Sequence, residues 1–334
     1  MQQKKYALVT GAGGFIGSHL SQKLVAEGYH VIGLNRSETS KNKEFNKLVE
    51  EGKITRISGD ITTFDFNTLP KKVDYIYHVA GKVSVWGKLD DFMKINYQST
   101  KRLLEYAKKI KCKCFTYFST VAVYGFYGYK HLKESDEKKP FKNPYSISKL
   151  KTEQLVESFC RENSQNYVII RPANVYGEYD YTSSHEIFTR IKRKKMMICA
   201  NGKYLSCFVY VKNLVDACYL ATTNYAANNT DYNVSDGNDE TLKEMFTAIA
   251  REFGVKPSFT NFPAPISKLM ASGVEFFYKI FRIKKAPLIT RFSVYQNCVH
   301  YNFNIEKLKD IGHTSAYSMQ EGIKNTCAWI NEIE

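Results

Sequence analysis

The stretch Thr10-Gly11-Ala12-Gly13-Gly14-Phe15-Ile16-Gly17, written TGAGGFIG, decides the fold of this chain because it joins a strand pattern to a helix pattern. It follows the apolar run Tyr6–Val9, and apolar residues then recur with helical spacing at Ile16, Leu20 and Leu24. Glycine at Gly11 permits a tight turn, at Gly14 lets backbone amides approach a pyrophosphate, and at Gly17 lets helix and strand pack closely. The pattern therefore predicts a dinucleotide site, with a plain tight loop as the alternative. The residues expected to contact the cofactor here are Gly11, Gly14, Phe15, Ile16 and Gly17.

Short β-rich runs alternate with amphipathic helical stretches along the first half of the chain. The predicted strands are Tyr6–Val9, His30–Leu34, Ile54–Ser58, Asp74–Val79, Cys114–Ser119 and Val168–Arg171. Alternation of this kind favours parallel strands joined by crossover helices. The predicted fold class is therefore α/β, a doubly wound parallel sheet of the Rossmann type with a smaller, discontinuous C-terminal part that binds the substrate.

The pattern becomes irregular after Pro172, which suggests a change of architecture. We predict an NAD(P)-binding domain over residues 1–176, with returns to it near residues 206–234, and a mostly substrate-binding part over residues 177–334. Helices are predicted over Ser183–Lys194, Thr241–Phe253 and Pro265–Phe281, and an extended piece over Leu205–Val211. The segments Phe208–Thr223 and Tyr232–Val234 are expected to return to the sheet.

Composition indicates a folded chain and bears on its partners. Of the 334 residues, 43% are hydrophobic and 24% are charged, which is typical of globular proteins. The net charge of +15 comes from lysines spread along the chain, as in Lys41-Asn42-Lys43, rather than from one cluster. This spread favours attraction of an anionic cofactor or substrate over nucleic-acid binding. We therefore expect a small-molecule substrate and no nucleic-acid partner, and the prediction allows a homodimer.

Neither a signal peptide nor a membrane span is predicted. No apolar segment follows a basic start at the N-terminus, so we expect a cytoplasmic protein. The least polar later stretch, Pro263–Phe281, contains Lys268, Glu275 and Lys279 and falls short of the ~20 apolar residues that span a bilayer, so we expect no stable membrane insertion. The eight cysteines form no CxxC pair, and we interpret them as reduced core thiols without a metal site.

The end of the second predicted strand indicates which dinucleotide is bound. A ribose 2′-hydroxyl is usually held by Asp or Glu about 20 residues beyond the glycines. This strand ends Gly33-Leu34-Asn35-Arg36-Ser37, without a carboxylate. A 2′-phosphate instead favours a guanidinium and hydroxyl donors, which form charge-assisted hydrogen bonds with it. The sequence therefore favours NADP(H) over NAD(H), with Asn35, Arg36 and Ser37 as cofactor contacts, and the alternative is that Arg36 is a solvated loop residue.

The segment Asn143-Pro144-Tyr145-Ser146-Ile147-Ser148-Lys149 carries the predicted chemistry. Pro144 suits the first turn of a helix, and a spacing of four puts Tyr145 and Lys149 on one face. The ordinary pKa of tyrosine is near ~10, and a neighbouring ammonium would stabilise the phenolate and lower that pKa. We predict Tyr145 as the acid/base group, with Lys149 supplying the charge and holding the nicotinamide ribose. Thr120 follows the fifth strand, where ligands bind in open parallel sheets, and could hydrogen-bond the reacting oxygen.

Together these motifs resemble the extended short-chain dehydrogenase/reductase family over nearly the whole chain. The family's TGxxGxxG is similar to Thr10–Gly17, its strand-end Ser/Thr before VYG to Thr120, and its YxxxK to Tyr145 and Lys149. The resemblance implies an adenine contact at Asp60 and Ile61 and a segment along the cofactor at Val79, Ala80 and Gly81. It also implies a turn beside the nicotinamide at Pro172, Ala173, Asn174 and Val175. For Asn96 it implies a structural or proton-relay role. In Asn96-Tyr97-Gln98-Ser99-Thr100, Ser99 replaces the glycine of the family's NVxGT motif.

Three segments resemble the branch of 3β-hydroxysteroid dehydrogenases and 2-alkyl-3-ketoalkanoate reductases: Val85-Trp86-Gly87, Phe208–Asn213 and Pro287–Phe292. We therefore predict an oxidoreductase that transfers a hydride between NAD(P) and a secondary alcohol or ketone, of the hydroxysteroid or 3-keto type. The alternative is a nucleotide-sugar epimerase or dehydratase with tightly bound NAD, although no Asp-Glu pair follows Thr120, which disfavours the dehydratase. A non-catalytic NADP-binding protein is the third hypothesis, and the complete set of Tyr, Lys and Thr disfavours it.

Overall fold

A parallel β-sheet lies at the centre of the protein, for which a computed structural model describes residues 4–334. The strands are β1 (Lys5–Thr10), β2 (Tyr29–Asn35), β3 (Ile54–Ser58), β4 (Tyr75–His78), β5 (Cys114–Phe118), β6 (Tyr129–Leu132), β7 (Tyr167–Pro172), β8 (Asn174–Tyr176), β9 (Met196–Cys199), β10 (Phe208–Tyr210), β11 (Thr230–Val234), β12 (Phe259–Phe262) and β13 (Tyr301–Phe303). The helices are α1 (Phe15–Ala26), α2 (Lys43–Glu50), α3 (Leu89–Phe92), α4 (Ser99–Ile110), α5 (Pro144–Glu162), α6 (Ser183–Lys192), α7 (Val211–Thr223), α8 (Leu242–Glu252), α9 (Ala264–Ile280), α10 (Arg291–Asn297), α11 (Glu306–Asp310) and α12 (Met319–Ile333).

The central sheet has the strand order β3-β2-β1-β4-β5-β7-β11, and all its neighbouring strands run parallel. The six strands predicted from the alternating pattern each overlap a strand of this sheet. The chain begins in the middle of the sheet, moves outward to β3 and returns to β4, so a crevice opens between the carboxyl ends of β1 and β4. The predicted fold class, a doubly wound Rossmann-type α/β sheet, is confirmed.

Helices cover both faces of the sheet and bury its apolar residues. One apolar cluster contains Val9 of β1 and Leu24 of α1, and another contains Leu8 of β1 and Leu104 of α4. Successive residues of a strand point to opposite faces, so neighbours in β1 join different clusters. A strand that is buried on both faces reads as a continuous apolar run, which is why β1 could be recognised from its sequence.

The chain beyond Pro172 forms a smaller part with short sheets of its own. β8 pairs with β10 and β9 pairs with β12, while α6, α8 and α12 share an apolar cluster that includes Phe188, Phe246 and Ile330. The helices predicted over Ser183–Lys194, Thr241–Phe253 and Pro265–Phe281 are present as α6, α8 and α9, with ends within two residues of those predicted. A division of the chain at residue 176 stays a prediction, as does the role of the C-terminal part in binding substrate.

The predicted return of the chain to the sheet is partly correct. β11 pairs with β7 at the edge of the central sheet, and α7 packs against β5 and β7. The prediction for Phe208–Tyr210 is wrong, because these residues pair with β8, which follows β7 outside the central sheet. The pairing partner of so short a strand depends on a distant segment, which the local sequence pattern does not reveal.

Helix composition and the surroundings of the cysteines bear on membrane crossing and on metal binding. Among the helices of residues 4–334, none combines the length and apolar character that a membrane crossing requires. The eight cysteines are free thiols, and all but the half-buried Cys199 are buried. Within the same residues, no group of three or more His, Cys, Asp or Glu side chains could hold a metal ion.

A buried ion pair ties helix α5 to the central sheet. Arg171 in β7 is 1% exposed, and its Nε and Nη2 atoms donate to the two carboxylate oxygens of Glu153 in α5, each at 2.9 Å. Its Nη1 donates to the Tyr124 hydroxyl at 2.9 Å, and Nη2 also donates to Asp231 in β11. A buried charge is tolerated when it is paired and fully hydrogen-bonded. This network therefore fixes α5 against β7 and β11.

We expect Glu153→Gln to lower the free energy of unfolding by about 3 kcal/mol, because the Arg171 guanidinium would remain buried without its main partner charge. Urea denaturation of the variant and the wild type measures this difference. The matched control is Glu157→Gln on the same helix, whose carboxylate pairs with Arg161 in solvent and should contribute less than about 1 kcal/mol. Equal effects of the two substitutions would contradict a structural role for the buried pair.

Candidate functional site

The turn between β1 and α1 leaves room for glycine alone at two positions. Gly11 has φ +72°, and a Cβ there would lie 3.1 Å from the backbone of Ala80. A Cβ at Gly17 would lie 2.1 Å from the carbonyl oxygen of Gly11. Gly14 precedes α1, no side chain caps the helix there, and the first turn carries no acidic residue. The amides at the start of α1, which include those of Phe15 and Ile16, therefore lie at an uncapped positive helix end that suits an anion.

The side chain of Asn35 fixes this turn through a hydrogen bond. Its Oδ1 accepts a hydrogen bond from the backbone N–H of Gly13 at 2.6 Å, and its side chain is buried. Ser40 donates to the carbonyl of Gly13 at 2.7 Å and closes the same turn from the other side. Arg36 and Ser37, by contrast, are exposed at the end of β2. Of the three cofactor contacts predicted there, Asn35 shapes the glycine turn, and the other two lie on the open rim of the crevice.

Asp60 and Ile61 follow β3 at the same rim. Asp60 Oδ1 accepts hydrogen bonds from the backbone N–H and the hydroxyl of Thr62, both at 2.8 Å. These bonds lower the pKa of Asp60, and the nearby charges of Arg36 and Lys94 lower it further. Arg36 therefore lies within electrostatic reach of Asp60, as the ends of the neighbouring strands β2 and β3 require.

A chain of hydrogen bonds runs from the glycine turn to α4 through His78. Thr10 Oγ1 lies 2.7 Å from His78 Nδ1, and His78 Nε2 lies 2.8 Å from Thr100 Oγ1. The backbone N–H of Ala80 donates to Thr10 Oγ1 at 3.2 Å, and the Thr100 hydroxyl donates to the carbonyl of Asn96. Since Thr100 uses its hydrogen on this carbonyl, His78 donates from Nε2 and accepts at Nδ1. Burial lowers the pKa of His78 to about 3, which keeps the ring neutral.

Asn96 lies on a π-helical turn, Met93–Gln98, between α3 and α4. Its Oδ1 accepts from the backbone N–H of Lys82 at 2.7 Å, and its Nδ2 donates to the Ser148 hydroxyl in α5 at 3.0 Å. Ser99, which replaces the family's glycine, is buried and donates its hydroxyl to a carbonyl of the preceding turn. The replacement is thus accommodated, and the Asn96 side chain joins the segment after β4 to α5.

The four predicted catalytic residues meet at the carboxyl ends of β4 and β5. Thr120 lies two residues after the end of β5, and its hydroxyl approaches the phenol of Tyr145 in the first turn of α5. Gly81 lies close to the other two predicted residues, Asn96 and Lys149. A Cβ at Gly81 would lie 3.2 Å from Asn96 Oδ1 and 3.4 Å from Lys149 Nζ. Val79 and Ala80 precede it along the same edge of the sheet.

Burial shifts the pKa values of Tyr145 and Lys149 in opposite directions. It raises the pKa of Tyr145, and the hydrogen bond with Thr120 opposes that rise. It lowers the pKa of Lys149 to about 8, and the charge of Glu153 opposes that fall. The sequence predicted that Lys149 would lower the pKa of Tyr145, but in this structure burial dominates and the Lys149 ammonium donates to the Phe118 carbonyl at 2.7 Å. Tyr145 is therefore protonated at neutral pH.

The segment predicted beside the nicotinamide leaves the sheet next to Thr120. Pro172 and Ala173 are buried at the end of β7, and Asn174 and Val175 are half-buried in β8. The backbone N–H of Ala173 donates to the Val234 carbonyl at 2.9 Å, which holds the segment against β11. β7 is the neighbour of β5 in the sheet, so this segment and Thr120 border the same crevice.

Three residues that hold the site together were not predicted from the sequence: Thr100, Ser148 and Gln296. Thr100 stands four residues after Asn96 and Ser148 three residues after Tyr145, so helical spacing was an available signal for both. Gln296 comes from α10, and its Nε2 donates to Asn174 Oδ1 at 2.9 Å. No motif in the sequence marks Gln296, because its contact joins segments more than a hundred positions apart.

The residues present fit a nicotinamide dinucleotide. The glycine turn excludes side chains at two positions and leads into an uncapped helix end, as a pyrophosphate requires. Ser119 Oγ, next to Thr120, is buried and has no hydrogen-bond partner within residues 4–334. A buried hydroxyl of this kind can be satisfied by a bound group. The individual cofactor roles of these residues stay predictions.

Comparisons with known proteins agree with this geometry. The sequence model of the NAD dependent epimerase/dehydratase family matches residues 7–235. The chain is 27% identical to 2-alkyl-3-oxoalkanoate reductase from Shewanella oneidensis, over 96% of this chain and 84% of that protein. It is 26% identical to dTDP-D-glucose 4,6-dehydratase from Homo sapiens, over 98% of this chain and 90% of that protein. The crystal structure of UDP-glucose 4-epimerase with UDP-glucose from Thermotoga maritima superposes with a TM-score of 0.77 at 25% identity, over 98% of this chain and 99% of that chain.

The lowered pKa of Lys149 predicts how stability depends on pH. Unfolding returns the lysine to its ordinary pKa of 10.5, so above pH 8 the unfolded chain holds a proton that the folded chain has released. The stability of the wild type relative to Lys149→Met should therefore rise as the pH increases from about 8 to about 10. Urea denaturation at both pH values measures this gap. Lys151→Met, at an exposed position of the same helix, is the control and should show no such change; a gap for Lys149→Met that is independent of pH would contradict the lowered pKa.

Proposed function

The chain belongs to the NAD dependent epimerase/dehydratase family, and from this premise we propose that it is an oxidoreductase that transfers a hydride between a nicotinamide dinucleotide and a secondary alcohol or ketone. Family membership confirms the resemblance to extended short-chain dehydrogenases and reductases. The observation that carries the proposal is the meeting of Tyr145, Thr120, Lys149 and Asn96 beside the glycine turn. A hydroxysteroid substrate has no support in the comparisons, and the proposal is limited to the reacting alcohol or ketone group.

Tyr145 is the proton donor when a ketone is reduced. Burial keeps its phenol protonated at neutral pH, which is the state that a general acid requires. The Thr120 hydroxyl lies against this phenol and hydrogen-bonds the same substrate oxygen, so it orients the carbonyl. The hydrogen bond from Thr120 also stabilises the phenolate after the proton has left. In the reverse direction the same phenolate removes the proton of the alcohol.

Lys149 and Asn96 lie beside the residues of this proton transfer. Lys149 lies one helical turn after Tyr145 and is charged below about pH 8, and its ammonium donates to the Phe118 carbonyl at 2.7 Å, so it would act on the cofactor rather than on the phenol. Asn96 fixes the first turns of α5 through its hydrogen bond to Ser148. Tyr145 and Lys149 are thereby held at one end of a helix whose position does not depend on substrate.

A bound nicotinamide dinucleotide supplies the group that gives or accepts the hydride. We propose that the glycine turn holds its pyrophosphate, Lys149 the nicotinamide ribose, and Pro172–Val175 the nicotinamide. Asp60 and Ile61 would lie at the adenine. Gly81 brings the chain close to Lys149, which supports the assignment of Val79, Ala80 and Gly81 to the edge of the cofactor.

We further propose that NADP(H) is preferred over NAD(H). Arg36 and Ser37 are exposed at the end of β2, where a 2′-phosphate would lie, and the strand end Asn35-Arg36-Ser37 itself contains no carboxylate to hold a ribose hydroxyl. The third residue, Asn35, acts through the glycine turn because its side chain is already bonded to Gly13. Arg36 therefore carries the discrimination between the two nucleotides.

A nucleotide-sugar epimerase is the second candidate. It is favoured by the likeness to UDP-glucose 4-epimerase, which extends over 98% of this chain. Tyr145 and Thr120 would exchange the same proton, but the hydride would return to the substrate and the nucleotide would show no net oxidation. A cytoplasmic location and a homodimer stay predictions from the sequence.

The reaction class can be tested by following NADPH and NADH absorbance with a panel of 3-oxo acids and long-chain ketones, and by following UDP-glucose for isomerisation. We expect net oxidation of the nucleotide by at least one ketone. Tyr145→Phe should lower that turnover by about 10²–10⁴-fold while cofactor affinity stays nearly intact, because only the proton donor is removed. Tyr225→Phe, at a 79% exposed position, is the matched control and should retain full turnover.

Two results would decide against this proposal. Isomerisation of UDP-glucose without net change in the nucleotide would replace the oxidoreductase by the epimerase. Turnover of Tyr145→Phe within a few-fold of the wild type, in either reaction, would remove Tyr145 from the chemistry.

Arg36→Ala should weaken NADPH binding by roughly tenfold to a hundredfold, since a charge-assisted hydrogen bond to the 2′-phosphate is lost. NADH binding should scarcely change, and the NADPH effect should shrink as salt screens this exposed pair. Calorimetric titration with both nucleotides measures the two affinities. Lys101→Ala, at an exposed position of α4, controls for the loss of one positive charge. Equal losses for both nucleotides, or a wild type that prefers NADH, would overturn the NADP(H) preference.

A further inference from the structure

Helix α9 exposes apolar side chains along its whole length. Of its 17 residues, Ser267 and Ala271 are the buried ones. Leu269 is 75% exposed, Phe276 is 67% exposed and Phe281, the residue after the helix, is 62% exposed. We call the exposed set the α9 stripe, which consists of Ile266, Leu269, Met270, Phe276, Phe277, Ile280 and Phe281. Spacings of three and four residues put these side chains on one face, away from the buried pair.

The α9 stripe is held in place by packing on its other side. Ala271 belongs to an apolar cluster with Val294 of α10 and Cys298. The indole of Trp86 packs edge-on against Tyr278 at 6.1 Å between ring centroids, and its N–H donates to the carbonyl of Ile283 at 3.0 Å. The exposed rings are therefore presented by a fixed helix. A contiguous exposed apolar surface of this kind marks an interaction site.

Basic residues border the α9 stripe. Residues 263–291 contain six basic residues and one acidic residue. The exposed basic side chains are Lys279, Arg282, Lys284, Lys285 and Arg291. The carboxylate of the acidic residue, Glu275, accepts a hydrogen bond from the backbone N–H of Arg291 at 2.7 Å, so it is engaged within this segment. The surface around the stripe therefore carries a strong positive charge.

We propose that α9 docks on an anionic membrane surface, lying flat with its stripe at the boundary of the acyl chains and its basic border at the lipid phosphates. An apolar face rich in Phe, Leu and Ile with Lys and Arg beside it is the composition of interfacial helices. Anionic lipid satisfies both features, since it takes up the apolar rings and neutralises the cations. A second copy of the chain would cover the rings but would bring two basic borders together. This inference is independent of the reaction class and of the preferred nucleotide.

Vesicle sedimentation of the full chain tests the proposal. We expect the wild type to pellet with vesicles of equal parts phosphatidylcholine and phosphatidylglycerol, to bind pure phosphatidylcholine far less, and to be released by salt. The triple variant Leu269→Ser, Phe277→Ser, Phe281→Ser should lose binding by about tenfold or more, because exposed residues of the stripe no longer insert. The double variant Lys279→Glu, Lys284→Glu should lose the preference for anionic vesicles.

Control variants carry single substitutions of the same two kinds elsewhere on the surface. Tyr225→Ser removes an exposed aromatic ring outside α9, and Lys108→Glu reverses an exposed charge on α4. Both should bind as the wild type does. The proposal is overturned if the wild type stays in the supernatant with anionic vesicles, or if the controls lose as much binding as the α9 variants. It is also overturned if the wild type is a dimer without lipid that the triple serine variant converts to monomer, since a second copy would then cover the stripe.

Discussion

The close approach of strand β1 and helix α1 is the constraint on which the site depends. A Cβ at Gly17 would overlap the carbonyl oxygen of Gly11. Because glycine has no Cβ, helix α1 can start close to the end of strand β1. Its positive end is therefore aimed into the crevice between β1 and β4. The parallel sheet then brings the ends of β2, β3, β5 and β7 to the same edge. Residues from these separate segments, including Arg36, Asp60, Thr120 and Ala173, share one crevice for that reason.

Near this crevice some buried ionisable groups are neutral and others are held in a charged ion pair. At His78, Tyr145 and Lys149 burial has the largest effect on the pKa and favours the neutral form of each side chain. Arg171 remains charged at the same depth because Glu153 and Asp231 neutralise it. Glu153 also lies close enough to Lys149 to oppose the fall of its pKa. The structural ion pair and the proposed catalytic residues are therefore electrostatically coupled through one carboxylate.

Local sequence patterns were sufficient to predict the sheet, the glycine turn and the helix that carries Tyr145 and Lys149 one turn apart, since period, spacing and glycine content act over short distances. Contacts between distant segments were not predictable in this way. The partner of β10, the bond from Gln296 to Asn174 and the turn of Lys149 toward the Phe118 carbonyl each depend on where another part of the chain lies. Asn35 illustrates the difference: its position at the strand end was read correctly, whereas its bond to Gly13 required the folded turn. Burial, which decides the pKa values, likewise follows from the whole fold.

The π-helical turn at Met93–Gln98 bears on how this chain can change in length. A π turn closes its hydrogen bonds one residue further along than an α-helix does. Removing one residue here would restore a regular α-helix and rotate Asn96 by about 100° relative to α4. Its side chain would then lose both Lys82 and Ser148, although every remaining residue would still suit a helix. The number of residues in this turn is therefore itself part of the site, because it sets the direction in which the Asn96 side chain points.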